Sequence, residues 1–74
     1  MNNARRKEIK KAISVIRTSI DLLESILADE EEAFDNMPEG VKISDNGIAS
    51  EEAQDSLNDA IVTLEEAIEC LEGI

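Results

Sequence analysis

The stretch that decides the fold runs from Ile9 to Leu27 and reads IKKAISVIRTSIDLLESIL. Its large apolar residues recur at alternating intervals of four and three, the a/d spacing of a coiled-coil seam. After a skip at Glu30, the series ends at Phe34. Its members are Ile9, Ile13, Ile16, Ile20, Leu23, Leu27 and Phe34. Because neither Gly nor Pro interrupts residues 3–36, the spacing predicts one helix there, of about 34 residues.

A second helix is predicted over residues 50–73, where the same spacing returns. Its large apolar residues are Leu57, Ile61, Leu64, Ile68 and Leu71. Alanines flank them at a seven-residue period, at Ala53, Ala60 and Ala67. Such small side chains allow a neighbouring helix to approach closely. Ser50 is the predicted N-cap of this helix, and Gly73 is its predicted end.

Residues 37–49 are predicted to form the connection. Met37-Pro38-Glu39-Gly40 ends the first helix, because the residue before a proline is pushed out of the helical region. Asp45-Asn46-Gly47 is a second turn signal. Val41, Ile43 and Ile48 are expected to fold back onto an overhanging end of the first helix. The alternative is a short β-hairpin across Asp45-Asn46-Gly47.

The apolar stripes are too wide for a lone hairpin, because Leu22 and Ile26 widen the first stripe on one side and Ala12 on the other. The predicted fold class is therefore all-α: residues 1–74 form one domain, a two-helix antiparallel hairpin that dimerises into a four-helix bundle. A trimer or a tetramer is the alternative. The predicted oligomer core is Ile13, Ile16, Ile20, Leu23, Leu27, Leu57, Ile61, Leu64, Ile68 and Leu71.

Charge is abundant and unevenly distributed. Residues 1–17 carry six cations against Glu8, a formal charge of +5, whereas residues 18–74 carry Lys42 against seventeen acids, a formal charge of −16. This field disfavours nucleic acid and anionic membrane and favours a basic protein as a partner. The chain has no signal-peptide pattern, no apolar run of membrane-spanning length and a single cysteine, so we expect an intracellular protein of the host-cell cytoplasm.

Three of the four helix ends carry the charge that opposes their own macrodipole. Antiparallel packing would place the basic start of the first helix beside the acidic end of the second. Antiparallel packing places no cations beside the acids at the end of the first helix. Their unfavourable position is therefore uncompensated, and these acids are the candidate partner-binding site. This acidic tip comprises Asp29, Glu30, Glu31, Glu32, Asp35 and Glu39. It would bind a basic protein surface or imitate a phosphate backbone; the alternative is a face that only confers solubility.

A basic start opens the first helix, with Arg5, Arg6, Lys7, Lys10 and Lys11. The favoured interpretation is a set of salt bridges across the hairpin. The expected partners are Glu65, Glu66, Glu69 and Glu72. The alternative is capture of a small anionic ligand, because cations and free amide groups coincide at a helix N-terminus.

No metal, cofactor or enzymatic activity is predicted. The chain has no His and one Cys, and Asp45-Asn46-Gly47 lacks the ladder of acids of an EF-hand. No nucleophile and base pattern or phosphate loop is present, and the carboxylates lie on solvated helix faces. Cys70 is expected to fill a helix edge, with a bridge across a dimer axis as the alternative.

The run Glu32-Ala33-Phe34-Asp35-Asn36-Met37-Pro38-Glu39 resembles a set of small acidic proteins encoded by bacteriophages and prophages. These share a basic first turn, a long helix, an Asp-Asn-Met-Pro-Glu turn and a closing helix rich in Ala, Leu and Glu. The resemblance implies an accessory protein that blocks a host protein, and it carries over no functional residues.

Two functions are therefore expected for the chain. In the first, it is a module whose acidic tip inhibits or modulates a host protein by occupying a basic surface, which can be one that binds nucleic acid. In the second, it is a structural coiled-coil element of a larger phage assembly. That element would be held by the apolar loop residues, which are Phe34, Met37, Val41, Ile43 and Ile48.

Overall fold

The computed structural model describes residues 1–74 and is all-helical, with no strand. Its helices are α1 (Asn3–Asp35), α2 (Glu39–Lys42) and α3 (Asp45–Glu72). The helices α1 and α3 are antiparallel, since the Arg6 guanidinium near the start of α1 donates a hydrogen bond of 3.1 Å to the carbonyl oxygen of Ile74. The Cα atoms span 58 × 15 × 12 Å, so the molecule is an elongated helical hairpin. The prediction of an all-helical hairpin is confirmed for the single chain.

Local signals in the sequence define the limits of α1. The Asn2 side chain caps its first turn, because Oδ1 accepts a hydrogen bond of 2.8 Å from the Arg5 amide. At the other end, the Asn36 amide donates to the carbonyl oxygen of Glu32, and Pro38 prevents continuation. The helix ends one residue before the predicted position.

The segment between the long helices is mostly helical, which corrects the predicted loop over residues 37–49. The Asp45-Asn46-Gly47 stretch forms the first turn of α3, so the β-hairpin alternative is wrong. Ser50 is not the N-cap but a buried residue in the second turn of α3. The residue before the helix is Ser44, whose Oγ donates a 2.5 Å hydrogen bond to the carbonyl oxygen of Val41.

Gly47 packs against the backbone of Lys42, the last residue of α2. A Cβ atom built at this residue would overlap the carbonyl oxygen and the carbonyl carbon of Lys42. The glycine has a negative φ, so the position does not need a left-handed backbone. It needs a residue without a side chain. Gly40, in α2, has open space around its Cα.

A single aliphatic seam holds α1 against α3. Its buried residues are Ile20, Leu27, Ile61 and Ile68, and packed against them are the half-buried Ile13, Ile16, Leu23, Leu57 and Leu64. Leu71 is half-buried near the end of α3. The residues predicted as an oligomer core therefore form the core of one hairpin, and none of them reaches full burial.

A second apolar side of α1 stays exposed. Val15, Leu22 and Ile26 are 66%, 62% and 44% exposed. Ala12 lies on this side as well, contrary to the prediction, because the fourteen residues from Ala12 to Ile26 make nearly four complete turns. None of the three helices combines the length and the apolarity that crossing a membrane requires.

The two long helices are offset along their common axis. Helix α1 is about 50 Å long, yet the molecule is 58 Å long. Glu72, the last residue of α3, pairs with Arg17, so the first turns of α1 extend beyond the end of α3. The overhang of α1 is therefore at its start and not, as predicted, at the connection. There α3 begins at Asp45, five residues before its predicted start at residue 50.

The close approach at Gly47 predicts opposite outcomes for two glycine substitutions. Both Gly40→Ala and Gly47→Ala remove the entropic disadvantage of a helical glycine, a gain of about 0.5–1 kcal/mol. At Gly47 the methyl group meets backbone atoms, and overpacking costs about 1–3 kcal/mol. We expect thermal unfolding followed by circular dichroism to give a higher Tm for Gly40→Ala and a lower Tm for Gly47→Ala. Stabilisation by Gly47→Ala would contradict the packing of α2 on α3.

Candidate functional site

The acidic tip lies where α1 ends and α2 begins. Its side chains are exposed except Glu30, which is half-buried. Lys42 is the nearest cation in sequence. Its ammonium group lies 3.6 Å from the Glu39 carboxylate and 5.6 Å from the centre of the Phe34 ring. The tip carboxylates at the end of α1 form no ion pair, so the tip presents a concentrated negative charge to solvent.

A second acidic surface, which the sequence interpretation missed, runs along one side of the hairpin. It is an open groove of about 660 Å³ between α1 and α3. The acids that line this acidic groove are Asp21, Glu24, Glu65, Glu66, Glu69 and Glu72. The spacing of these acids in the sequence could have indicated this surface. Asp21 and Glu24 share a face of α1, and Glu65, Glu69 and Glu72 share a face of α3. Only the axial alignment of the helices brings the two sets together.

Ion pairs neutralise few of these acids. The chain has 18 Asp and Glu residues, and only Glu8, Glu39 and Glu72 lie within salt-bridge distance of a cation. One pair crosses the hairpin, between Arg17 and Glu72 at 3.3 Å. Its side chains are more than half exposed, so it contributes little to stability.

The predicted salt bridges between the basic start and the end of α3 do not form. Glu65, Glu66 and Glu69 face Asp21 and Glu24 across the groove, and none of the five cations of the basic start pairs with them. The physical reason is the axial offset, which carries the basic start beyond the end of α3. Arg6 contacts only the backbone of Ile74, and Lys11 pairs with Glu8 on its own helix.

The basic start has little of the geometry of an anion site. The Arg5 amide is already bonded to Asn2 Oδ1, and the Arg6 amide to the backbone carbonyl of Asn2. A shallow groove of about 460 Å³ lies beside it, lined in part by Arg6, Lys10 and Arg17. All five cations of the basic start are exposed. They supply positive charge without a preformed cradle of free amide groups.

The apolar loop residues divide into two groups. Phe34, Met37 and Val41 are half-buried. Ile43 is 79% exposed and Ile48 is 49% exposed. The second group therefore exposes apolar surface at the end of α2 and in the first turn of α3.

No three His, Cys, Asp or Glu side chains converge in a way that could hold a metal ion. Cys70 is a free, exposed thiol on α3. The exposed carboxylates can attract positively charged groups, and the exposed apolar residues of the connection can make apolar contacts.

No protein-family model matches this chain, and no curated protein and no solved structure is significantly similar to it.

Proposed function

We propose that this chain is a small acidic protein-binding module of the bacteriophage or prophage type. It inhibits or modulates a host protein by covering a basic surface, including one that binds nucleic acid. The observation that carries the proposal is the large number of unpaired, exposed carboxylates on a rigid helical hairpin. Like charges at the tip repel each other, and a basic partner would relieve that repulsion as well as the unfavourable charge at the end of α1.

The acidic tip is the preferred contact, because its acids lie close together at an end of a narrow molecule. With its side chains the two-helix hairpin is roughly 20 Å across, narrow enough to dock on a basic surface that binds a nucleic-acid duplex. The partner of such a surface is a protein rich in Arg and Lys. Long-range attraction then accelerates association, and it weakens as salt shortens the Debye length from about 10 Å at 0.1 M to about 3 Å at 1 M.

Reversal of charge at the tip tests this proposal. A partner would first be isolated from host lysate with the wild-type chain and identified by mass spectrometry. The variant Glu30→Lys/Glu31→Lys/Glu32→Lys/Asp35→Lys should then lose affinity about a hundredfold at 0.1 M salt, mainly through slower association. Surface plasmon resonance measures both rates.

The matched control reverses four acids of the groove, in the variant Asp21→Lys/Glu24→Lys/Glu65→Lys/Glu69→Lys. It makes the same change in net charge and should retain most of the affinity. Equal affinity of the tip variant and the wild type would show that the tip confers only solubility. Loss of affinity in the groove variant alone would assign the binding to the groove.

The exposure of Ile43 and Ile48 favours a second candidate, a structural element held in a larger phage assembly by apolar contact. Ile43→Ser/Ile48→Ser should then abolish association while the charge-reversed tip has little effect. Both side chains are exposed, so circular dichroism should show an unchanged hairpin. Phe34 and Met37 are less suitable targets, because they are half-buried and contribute to the fold. Unchanged association of the double variant would exclude this role.

We also propose that the hairpin pairs into a homodimeric four-helix bundle. A chain of this size rarely has more than about 3–5 kcal/mol of stability from one core. Here only four aliphatic side chains are buried, and no metal or disulfide adds to them. Burial of the exposed side of α1 against a second copy would supply the missing apolar contact.

Sedimentation equilibrium tests the pairing directly. At micromolar concentration we expect twice the mass of the chain, and we expect Tm to rise with protein concentration because pairing stabilises the folded state. A folded species of single-chain mass at all concentrations would contradict the dimer. A mass of three or four chains would instead indicate a trimer or a tetramer.

A further inference from the structure

Each long helix has a second seam that the hairpin does not use. On α1 it consists of Ala12, Val15, Ser19, Leu22, Ile26 and Ala33, with Glu30 as its one charged interruption. On α3 it consists of Ala53, Ser56, Ala60, Thr63, Ala67 and Cys70. The intervals are three or four residues when Glu30 is counted, as in the seam that holds the hairpin together. These two uncharged rows are almost entirely exposed.

The two uncharged rows lie on the same side of the hairpin. The acidic groove occupies the other side, where Asp21 and Glu24 face Glu65 and Glu69 over Ile20 and Ile68. On each helix the uncharged row flanks the buried seam on the side away from that groove. The hairpin therefore has one acidic side and one nearly uncharged side.

We infer that the uncharged side binds a second copy of this chain, with the two hairpins antiparallel, so that α1 packs on α1 and α3 on α3. This inference rests on the dimer proposed above and specifies its surface and its orientation. The rows cover about 30 Å along the helices and about 20 Å across them, or about 600 Å² on each copy. The total of about 1,200 Å² lies at the lower end of the range for stable interfaces.

Charge decides the orientation. A parallel pair, with α1 packed on α3, would place two acidic tips side by side and two basic starts side by side. An antiparallel pair places the basic start of each copy along the acidic tip of the other. The difference in charge distinguishes the two arrangements.

The antiparallel pair also accounts for three features that the single hairpin leaves unexplained. The acidic end of α1 acquires cations from the other copy, which relieves its unfavourable position at a helix C-terminus. The half-buried Glu30 comes within about one to two helical turns of Lys10 and Lys11 of the other copy. The basic start, which extends beyond the end of α3, acquires a negatively charged surface to lie on.

Disulfide trapping tests the orientation, with Cys70→Ser in every chain. Ala12 and Ala33 are the two ends of the row on α1, so antiparallel pairing brings Ala12 of one copy beside Ala33 of the other. Within one chain these residues are about 32 Å apart, too far for a disulfide, which needs Cα atoms within about 7 Å. The Ala12→Cys and Ala33→Cys variants would be mixed, oxidised and analysed by non-reducing electrophoresis and mass spectrometry.

The matched control pairs Ala12→Cys with Ala28→Cys, because Ala28 lies four and seven residues after Glu24 and Asp21 and shares their side of α1. We expect the Ala12–Ala33 heterodisulfide to exceed the Ala12–Ala28 product at least about tenfold, as proximity raises the effective concentration. Sedimentation of the unoxidised variants establishes whether they pair. Dimeric variants without the Ala12–Ala33 product would overturn this orientation while the proposed dimer stands, whereas monomeric wild type would overturn both.

A pair of charge insertions tests the surface independently. Ile26→Asp places a charge in the uncharged row, and Val62→Asp places one on the acidic side, where Val62 is 53% exposed and lines the groove. Neither side chain is buried in the hairpin, so both variants should keep the helical circular dichroism signal. We expect Ile26→Asp to sediment as one chain and Val62→Asp as two. A dimeric Ile26→Asp would exclude the uncharged side as the interface.

Discussion

The structure depends on one narrow aliphatic seam, made where Ile20 and Leu27 of α1 meet Ile61 and Ile68 of α3. The chain has no aromatic residue besides Phe34 and no second cysteine, so no other interaction could replace this seam. The way the seam is aligned also determines which charges face each other. Because it brings Ile20 and Ile68 to the floor of one groove, Asp21 and Glu24 must face Glu65 and Glu69. The offset of the helices and the exposure of the basic start follow from the same alignment.

The relative size of the two effects explains why the fold tolerates an acidic groove. Full burial of an aliphatic side chain is favourable by about 1.5–3 kcal/mol. A pair of like charges at a solvated helix surface is unfavourable by only a few tenths of a kcal/mol. Apolar contact therefore decides the alignment, and the carboxylates take the positions that remain. The result is a molecule whose acids are exposed and largely without internal partners, which suits attraction of a basic surface.

The periodicity of the apolar residues was sufficient to predict the two long helices and their antiparallel packing, although α3 begins five residues before its predicted start. The connection was harder, because Asp45-Asn46-Gly47 has the composition of a turn yet begins α3. Only a residue without a side chain fits beside the Lys42 backbone at Gly47. This tertiary contact cannot be predicted from local helix or turn propensities. The predicted salt bridges failed for a similar reason, since they assumed that the ends of α1 and α3 are level. The acidic tip was visible as a cluster in sequence, whereas the acidic groove requires the alignment of two distant segments.

The proposed pairing and the proposed partner would draw on the same carboxylates. In an antiparallel dimer, the basic start of the second copy occupies part of the field around the acidic tip, so a basic host protein must compete with it or bind beside it. Competition would make the affinity for the partner fall as the concentration of the module rises, because linkage between two binding equilibria is reciprocal. The acidic groove lies on the opposite side of each hairpin and stays accessible in the dimer. The negative charge accessible to a partner would therefore differ between the monomer and the proposed dimer. In the dimer the acidic groove would contribute a larger share of it and the acidic tip a smaller share.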